Sequence, residues 1–279
     1  MAILVCGASS QIGHFLLPRL VQGGETVLAL SRQAHAPQTG VTWLRGALPD
    51  AMPTLPMLSA LISFGPLQAF ADWLAQTNIA GAPRVIATSS MSAHSKRDSV
   101  VPAERALAQQ LRDGESALSR ACAARGCAWT VLRPTLVYGA GLDKSLTPIA
   151  RRALRTRLFP LPAGRGLRQP IHADDLAQAV LAALECPASA GCVLPIGGGE
   201  RLPAAAMFAR VRGSLPAASI PVPLPSWLLG CARAVPRLRG PLSRLDADLI
   251  ADNTEVERLL GVRPRAFLPE AAMWQRPAA

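Results

Sequence analysis

The chain contains only two lysines, Lys96 and Lys144, although its formal net charge is +11. Arginine therefore supplies nearly all of the positive charge, and the arginines are spread along the sequence. One local cluster, at residues 151–157, lies on a predicted helix, where such a run is more often a solvated face than an anion site. This distribution argues against a nucleic-acid-binding protein, in which basic residues concentrate in a patch or stripe.

Cysteine pairs and uninterrupted apolar runs are also missing. The six cysteines form no Cys-x-x-Cys pair and no metal-ligand spacing, so we predict no metal site and reduced, packed thiols. The most apolar stretch, residues 51–67, contains three prolines and cannot form a membrane-spanning helix. The sequence opens on a predicted strand and not on a signal peptide. We therefore expect a cytoplasmic protein with no membrane span.

A strand, a glycine turn, a helix and a second strand are predicted in the first thirty residues. An apolar run ends at Gly7, a predicted helix follows Gly13, and a second apolar run covers residues 26–30. In such a unit the first glycine turns the chain sharply, the last lets the helix pack close to the sheet, and the helix N-terminus receives a pyrophosphate. The predicted cofactor-binding residues of this turn are Gly7, Ser9, Ser10, Gln11, Ile12 and Gly13.

The middle glycine of the dinucleotide fingerprint is replaced by Ser10, whose hydroxyl could itself bond a phosphate oxygen. The alternative is a turn in an α/β domain that binds no ligand.

The end of the second strand bears on the choice of dinucleotide. Arg32, preceded by Ser31, lies 19 residues after Gly13, where an NAD site would place an acidic residue. A guanidinium binds a 2′-phosphate with charge-assisted hydrogen bonds, so we predict NADP(H) over NAD(H). The alternative for Arg32 is an exposed arginine in an arginine-rich chain.

Strands and helices alternate beyond this unit. Further strands are predicted at residues 41–44, 58–63, 84–88 and 128–133, with helices at 67–76 and 102–125. This alternation predicts an α/β fold, a Rossmann-type doubly wound parallel sheet that binds ligands at the carboxyl ends of its strands. At those ends we expect Phe64, Gly65, Ser89 and Pro134 to contact the cofactor.

A small C-terminal substrate lobe is predicted to follow the sheet domain. Residues 1–200 would form the dinucleotide-binding domain, with 141–170 contributing to the lobe, and residues 201–279 would form the lobe itself. Residues 215–242, rich in proline and arginine around Trp227, are predicted to form a lid or part of the substrate lobe. A surface-binding amphipathic patch is the alternative.

Three motifs stand at strand ends or turns of the predicted sheet, and a fourth begins a predicted helix. They are Gly7-x-x-Ser10-x-x-Gly13, Ser89-Ser90, Leu132-Arg133-Pro134-x-x-Val137-Tyr138-Gly139 and Ile171-His172-Ala173-Asp174-Asp175-Leu176-Ala177. With a closing segment, Leu259-Leu260-Gly261-Val262-x-Pro264-x-x-Phe267, the set resembles the short-chain dehydrogenase/reductase superfamily, in its extended or atypical NAD-dependent epimerase/dehydratase-like branch. The resemblance covers about the first 200 residues.

The resemblance implies a tyrosine acid four residues before a lysine, and this chain lacks both. Glu115 matches the glutamate that follows the lysine by four, which puts Leu111 at the lysine and Leu107 at the tyrosine. Ser90 matches the hydroxyl that shares the proton relay. His94 and Lys96 follow it and could replace the dyad, although both also suit a polar loop.

Three further residues complete the expected site. Tyr138, the single tyrosine, is a tentative catalytic residue whose alternative is packing. Ser92 and Arg168 are predicted to contact the substrate, and Arg168 resembles the family's phosphate-binding arginine. His172 is predicted to be structural.

These features predict an NADP(H)-binding oxidoreductase acting on a carbonyl or hydroxyl of a small molecule, with Ser90 polarising the carbonyl. The loss of the dyad leaves a second hypothesis, a non-catalytic NADP(H) sensor or scaffold. A nucleotide-sugar epimerase or dehydratase is a third hypothesis, and it requires the missing tyrosine.

Overall fold

Seven parallel strands form the central sheet in the computed structural model, which describes residues 2–164, 166–224 and 247–276. They are β1 (Ala2–Cys6), β2 (Thr26–Ser31), β3 (Val41–Arg45), β4 (Leu58–Ser63), β5 (Arg84–Thr88), β6 (Trp129–Pro134) and β11 (Cys192–Ile196). Their order across the sheet is β11-β6-β5-β4-β1-β2-β3. The chain crosses from β3 back to β4, so β1 and β4 flank the switch point where α/β sheets bind ligands.

Helices cover both faces of this sheet. The helices of the described residues are α1 (Gln11–Gln22), α2 (Leu67–Gln76), α3 (Ser92–Ser95), α4 (Pro102–Ala124), α5 (Thr147–Thr156), α6 (Ala173–Glu185), α7 (Ala204–Gly213) and α8 (Thr254–Leu260). One buried apolar cluster joins the sheet to α1, α6 and α8, and a second joins it to α2 and α4. The predicted fold, a Rossmann-type doubly wound parallel sheet, is confirmed.

The sequence placed most element boundaries within a residue or two, and α1 differs most. The predicted helix begins at residue 14, but α1 begins at Gln11 because Ser10 caps it: Gly13 N donates to Ser10 Oγ at 3.2 Å. The seventh strand, β11, was not predicted. It pairs with β6 in parallel along its whole length.

Short strand pairs surround the carboxyl edge of the sheet. They are β7 (Val137–Tyr138) with β10 (Ile171–His172), β8 (Leu158–Pro162) with β13 (Ile220–Leu224), and β9 (Leu167–Arg168) with β12 (Leu202–Pro203). Residues of the range 141–170 thus pair with residues of 201–279. The division into a dinucleotide-binding domain and a substrate lobe remains a prediction. Of the predicted lid at residues 215–242, positions 225–242, with Trp227, lie outside the described residues.

Among the described residues, no helix has the length and apolar character needed to cross a bilayer. The same residues contain no cluster of three or more histidine, cysteine or acidic side chains arranged to hold a metal ion.

Candidate functional site

The glycine turn after β1 is built for close approach of the backbone to a ligand. Gly7 adopts φ +75°, a conformation that favours glycine. A Cβ on Gly13 would lie 1.9 Å from the carbonyl oxygen of Ala8, so no larger residue fits between helix and turn. The first turn of α1 carries no acidic residue, and its backbone N–H groups lie at the switch point. These features fit a pyrophosphate, although the Ser10 hydroxyl already accepts a bond from Gly13 N.

Basic groups gather at the carboxyl ends of β2 and β3. Ser31 is buried, and its Oγ accepts from Gln33 N at 3.2 Å and lies 2.8 Å from His35 Nε2. His35 in turn stacks on Trp43 at 3.9 Å between ring centroids. Arg32 is exposed beside this cluster.

Arg45 was missed in the sequence analysis. It pairs in register with Ser31 across β2 and β3, which puts a second arginine at the same sheet edge as Arg32. The signal was available, since Arg45 follows a predicted strand directly, but nothing in the sequence showed that β3 lies next to β2.

A cavity of about 1090 Å³ opens at the carboxyl edge of the sheet. It brings together the loops that follow β1, β5 and β6. Of the predicted site residues, its walls contain Ser9, Ser10, Gln11, Ser90, Ser92, His94 and Arg168. Met207, Phe208 and Leu249 also line the cavity, and no motif or periodicity pointed to them. The other predicted site residues, Gly7, Ile12, Gly13, Ser31, Arg32, Phe64, Gly65, Ser89, Pro134 and Tyr138, are not among its lining residues.

Two buried polar atoms at this edge lack partners among the described residues. They are Ser89 Oγ and Gln11 Oε1, while Gln11 Nε2 donates to the carbonyl of Val137 at 3.1 Å. A buried polar atom without a partner typically costs about 1–3 kcal/mol. A bound polar ligand would satisfy such atoms, so their position after β1 and β5 suits a binding site. Ser90 Oγ accepts from Ser92 N at 3.1 Å, which fixes the start of the loop after β5.

Tyr138 faces away from this cavity. It is 1% exposed and packs edge-to-face against Phe267 at 4.8 Å and against His172 at 5.2 Å. Burial raises the pKa of the Tyr138 hydroxyl well above its ordinary value, so the hydroxyl holds its proton more tightly. We therefore drop Tyr138 as a catalytic candidate: β7 pairs with β10 and turns the ring inward.

His172 occupies the structural position expected of it. Its Nδ1 accepts from Asp174 N at 3.1 Å and so caps α6, and burial lowers its pKa. Arg168 is also buried, and its Nη1 donates to the carbonyls of Leu167 and Ala247 at 2.8 and 2.6 Å.

Glu115, from which the dyad positions are counted, forms an ion pair with Arg133. Arg133 Nε donates to Glu115 Oε1 at 2.7 Å, and Arg133 Nη2 donates to the other carboxylate oxygen, Oε2. This paired contact ties α4 to β6. The assignment of Leu111 and Leu107 to the lysine and tyrosine positions remains a prediction. Leu107 is 37% exposed on α4. Neither leucine can carry a proton.

We expect Arg133→Met to destabilise the fold, because it leaves the buried Glu115 carboxylate without its counter-charge. Removing one partner of a buried pair costs about 3–5 kcal/mol, and we expect about 2–3 kcal/mol here because Arg133 is partly exposed. Urea unfolding measures the loss. The control is Arg258→Met, which breaks the exposed pair with Glu255. Equal midpoints for the two variants would contradict a stabilising role for the Arg133 pair.

Comparisons with known proteins agree with this architecture. The model of the family described as "NAD dependent epimerase/dehydratase family" matches residues 71–197. A 3-diazoavenalumate denitrifying reductase from a Streptomyces species is 30% identical over 270 residues, covering 82% of this chain and 88% of the relative. A UDP-glucose 4-epimerase from Vibrio cholerae is 25% identical over 146 residues, and the match covers 50% of this chain and 43% of that protein.

Solved structures share the fold over nearly the whole chain. MoeE5 in complex with UDP-glucuronic acid and NAD superposes with a TM-score of 0.71 at 21% identity, covering 99% of this chain and 97% of that one. The UDP-glucuronic acid 4-epimerase of Bacillus cereus in complex with NAD gives 0.71 at 15% identity, with 98% and 97% covered. These structural similarities show the fold, and the 30% identity to the reductase relative shows that the chain is related to it in sequence as well. The chain belongs to the NAD-dependent epimerase/dehydratase family, within the short-chain dehydrogenase/reductase superfamily.

Proposed function

We propose that the protein is an NADP(H)-dependent reductase that acts on a small electrophilic molecule, in the first instance a carbonyl compound. The observation that carries this proposal is the cavity: it joins the glycine turn to Ser90 and Ser92 in one space. A reductase needs the dinucleotide and the reacting group side by side. The reductase relative supports the same class of reaction.

The residues proposed to hold the cofactor are those around the switch point. Gly7 and Gly13 let the backbone N–H groups of the turn approach the pyrophosphate, and Ser31 and Arg32 stand where the adenosine ribose is expected. Phe64, Gly65, Ser89 and Pro134 remain proposed contacts from the neighbouring strand ends. When bound, the nicotinamide supplies a hydride.

The chain's own part in the reaction is to bind, orient and polarise. Ser90 would donate a hydrogen bond to the substrate oxygen, and Ser92 and Arg168 would contact the rest of the molecule. Met207, Phe208 and Leu249 would pack against apolar parts of the substrate.

The preference for NADP(H) rests on Arg32 at the end of β2. A guanidinium favours the 2′-phosphate, and Arg45 adds positive charge at the same edge. We expect NADPH to bind at least about tenfold more tightly than NADH, a difference of about 1.4 kcal/mol. Arg32→Asp should reverse the preference, because a carboxylate repels the phosphate and accepts from a ribose hydroxyl.

Fluorescence titration with NADPH and NADH measures both affinities. Arg263→Asp is the matched control, since it makes the same charge change at an arginine whose side chain is 87% exposed. Equal affinities of the native protein for the two dinucleotides would overturn the argument from Arg32.

A second candidate reaction is the reductive loss of nitrogen from a diazo group. In a carbonyl reduction the oxygen must receive a proton, whereas a hydride that replaces N₂ on a diazonium compound needs none from the protein. The leucines at positions 107 and 111 suit that second reaction. The reductase relative, whose name refers to a diazo carboxylate and to denitrification, favours it too.

NADPH oxidation against two acceptor panels tests the proposal. One panel holds aldehydes and ketones, and the other holds arenediazonium carboxylates, with and without protein. Turnover on either panel supports the reductase. Tight NADPH binding with no turnover, joined to a shape change that depends on the redox state of the dinucleotide, would favour the non-catalytic sensor instead. Interconversion of UDP-sugars would favour the epimerase hypothesis.

A further inference from the structure

A cluster of ionisable side chains lies in the cavity wall, near the lost dyad and outside the family motifs. Glu104 is 6% exposed and accepts from Ser99 Oγ at 2.7 Å. Lys96 Nζ lies 3.8 Å from Glu104 Oε1, and the two side chains are 15% and 8% exposed. Lys96, Ser99 and Glu104 all line the cavity that contains Ser90.

Glu104 lies one helical turn from the position that the tyrosine occupies in the family. It is the third residue of α4 and precedes Leu107 by three, so the two positions are neighbours on the helix surface. A carboxylate in the first turn of a helix is stabilised by the positive end of the helix dipole. An ionisable cluster therefore survives close to the place where the acid dyad has been lost.

The loop that carries Lys96 is fixed to this helix. Val101 N donates to Ser99 Oγ at 3.2 Å, and Arg105 Nη1 donates to the carbonyl of Ser99 at 2.7 Å. Arg112, further along α4, donates to the carbonyl of Ala93 at 2.7 Å. The loop after β5 is thus held against α4 from both sides of Lys96, as a positioned proton donor requires.

We propose that Lys96 is the proton donor of carbonyl reduction and that Glu104 and Ser99 position it. This inference rests on the proposed reductase function. As the hydride forms a C–H bond on the carbonyl carbon, the C=O π pair moves to oxygen, and that oxygen takes a proton from Lys96 Nζ. The lysine is left as a neutral amine and regains its proton from water at the open cavity. Glu104 favours the ammonium form throughout. The other ionisable groups in the cavity wall are His94 and Asp98 of this loop and, from other elements, Asp143, Lys144, Arg168 and Asp248.

Two substitutions at Lys96 distinguish the effect of its positive charge from its role as a proton donor. Lys96→Met removes both, whereas Lys96→Arg keeps the positive charge beside Glu104 but does not release a proton. We expect both variants to lose about 10²–10⁴-fold in kcat for carbonyl acceptors, the usual effect of losing a positioned acid. NADPH affinity should be unchanged in both. The other lysine, Lys144, also lines the cavity, so Lys144→Met tests it as the competing donor: a loss in kcat as large as that of Lys96→Met would overturn the inference.

Glu104→Gln tests the positioning role. It keeps a hydrogen-bond partner for Ser99 but removes the negative charge that favours the ammonium form, so the alkaline limb of the kcat profile should move to lower pH. A merely structural role for Glu104 would lower stability without moving that limb.

Each outcome decides the inference. Native kcat in Lys96→Met or in Lys96→Arg overturns it while the reductase function stands, as does a larger loss in His94→Ala than in Lys96→Met. A native protein that binds NADPH but reduces no carbonyl overturns the proposed carbonyl reaction and the inference together. Circular dichroism of each variant shows that the loss is not one of folding.

Discussion

Gly13→Val is expected to abolish cofactor binding. A Cβ at this position would meet the carbonyl oxygen of Ala8 at 1.9 Å, and that atom belongs to the backbone of the turn and cannot rotate away. Helix α1 must then move off the sheet, which takes its N–H groups away from the phosphate position. We expect NADPH affinity to fall by at least about 100-fold and stability to fall by about 1–3 kcal/mol, the usual cost of overpacking.

Fluorescence titration and thermal unfolding measure the two effects. The matched control is Gly213→Val at the end of α7, where a Cβ would meet no atom within 4 Å. Ser10→Gly should be mild, because replacing a helix cap by glycine costs only a few tenths of a kcal/mol. Native NADPH affinity in Gly13→Val would remove the glycine turn from the proposed site.

Ser90→Ala is expected to reduce carbonyl turnover strongly while leaving NADPH binding intact. Ser90 lines the cavity, and its hydroxyl is the group that would polarise the substrate oxygen. The loss should be about 10²–10⁴-fold in kcat, the range for a positioned group of the proton relay. The substitution removes one oxygen atom and does not touch the glycine turn, so binding of the dinucleotide should survive.

The control for Ser90 is Ser59→Ala. Ser59 lies near the amino end of β4, at the edge of the sheet opposite the cavity, where its Oγ donates to the carbonyl of Ala2 at 3.3 Å. Carbonyl turnover that survives Ser90→Ala would contradict the proposed role of the hydroxyl. Reduction of a diazonium acceptor that survives it would be consistent with the second candidate reaction, in which no oxygen is polarised.

The parts of the fold that the sequence predicted are those with local signals. The apolar runs that become β1, β4 and β5 end at glycine or serine. The length of each run and the residue that ends it were therefore sufficient to predict these strands. Strand β11 is also an apolar run that ends at a glycine, Gly197, but Pro195 within it argues against a strand. The proline is tolerated because β11 lies at the edge of the sheet, where it pairs only with β6.

The site was harder to predict because its walls come from distant parts of the chain. Ser90, Ser92 and Arg168 lie in the cavity as the motifs suggested, but Met207 and Leu249 reach it only through the pairing of short strands and bridges around β9. Tyr138 follows a strand end like the other candidates, yet its ring turns inward because Phe267 and His172 pack against it.

Glu104 illustrates a different limit. In the sequence it reads as an ordinary acidic residue in the first turn of a helix. Its burial and its pairing with Lys96 depend on how the loop after β5 folds back on α4, through contacts such as that of Arg105 with Ser99. No periodicity or motif encodes that loop.

The most direct test of the proposed reductase function follows the transferred hydride. NADPH deuterated at the transferable position is incubated with the protein and each acceptor panel. Mass spectrometry then measures the deuterium content of the products. We expect one deuterium on the product carbon, whether that carbon was a carbonyl carbon or carried the lost N₂. A folded protein that binds the deuterated NADPH and transfers no deuterium to any acceptor would contradict the claim that it is a reductase.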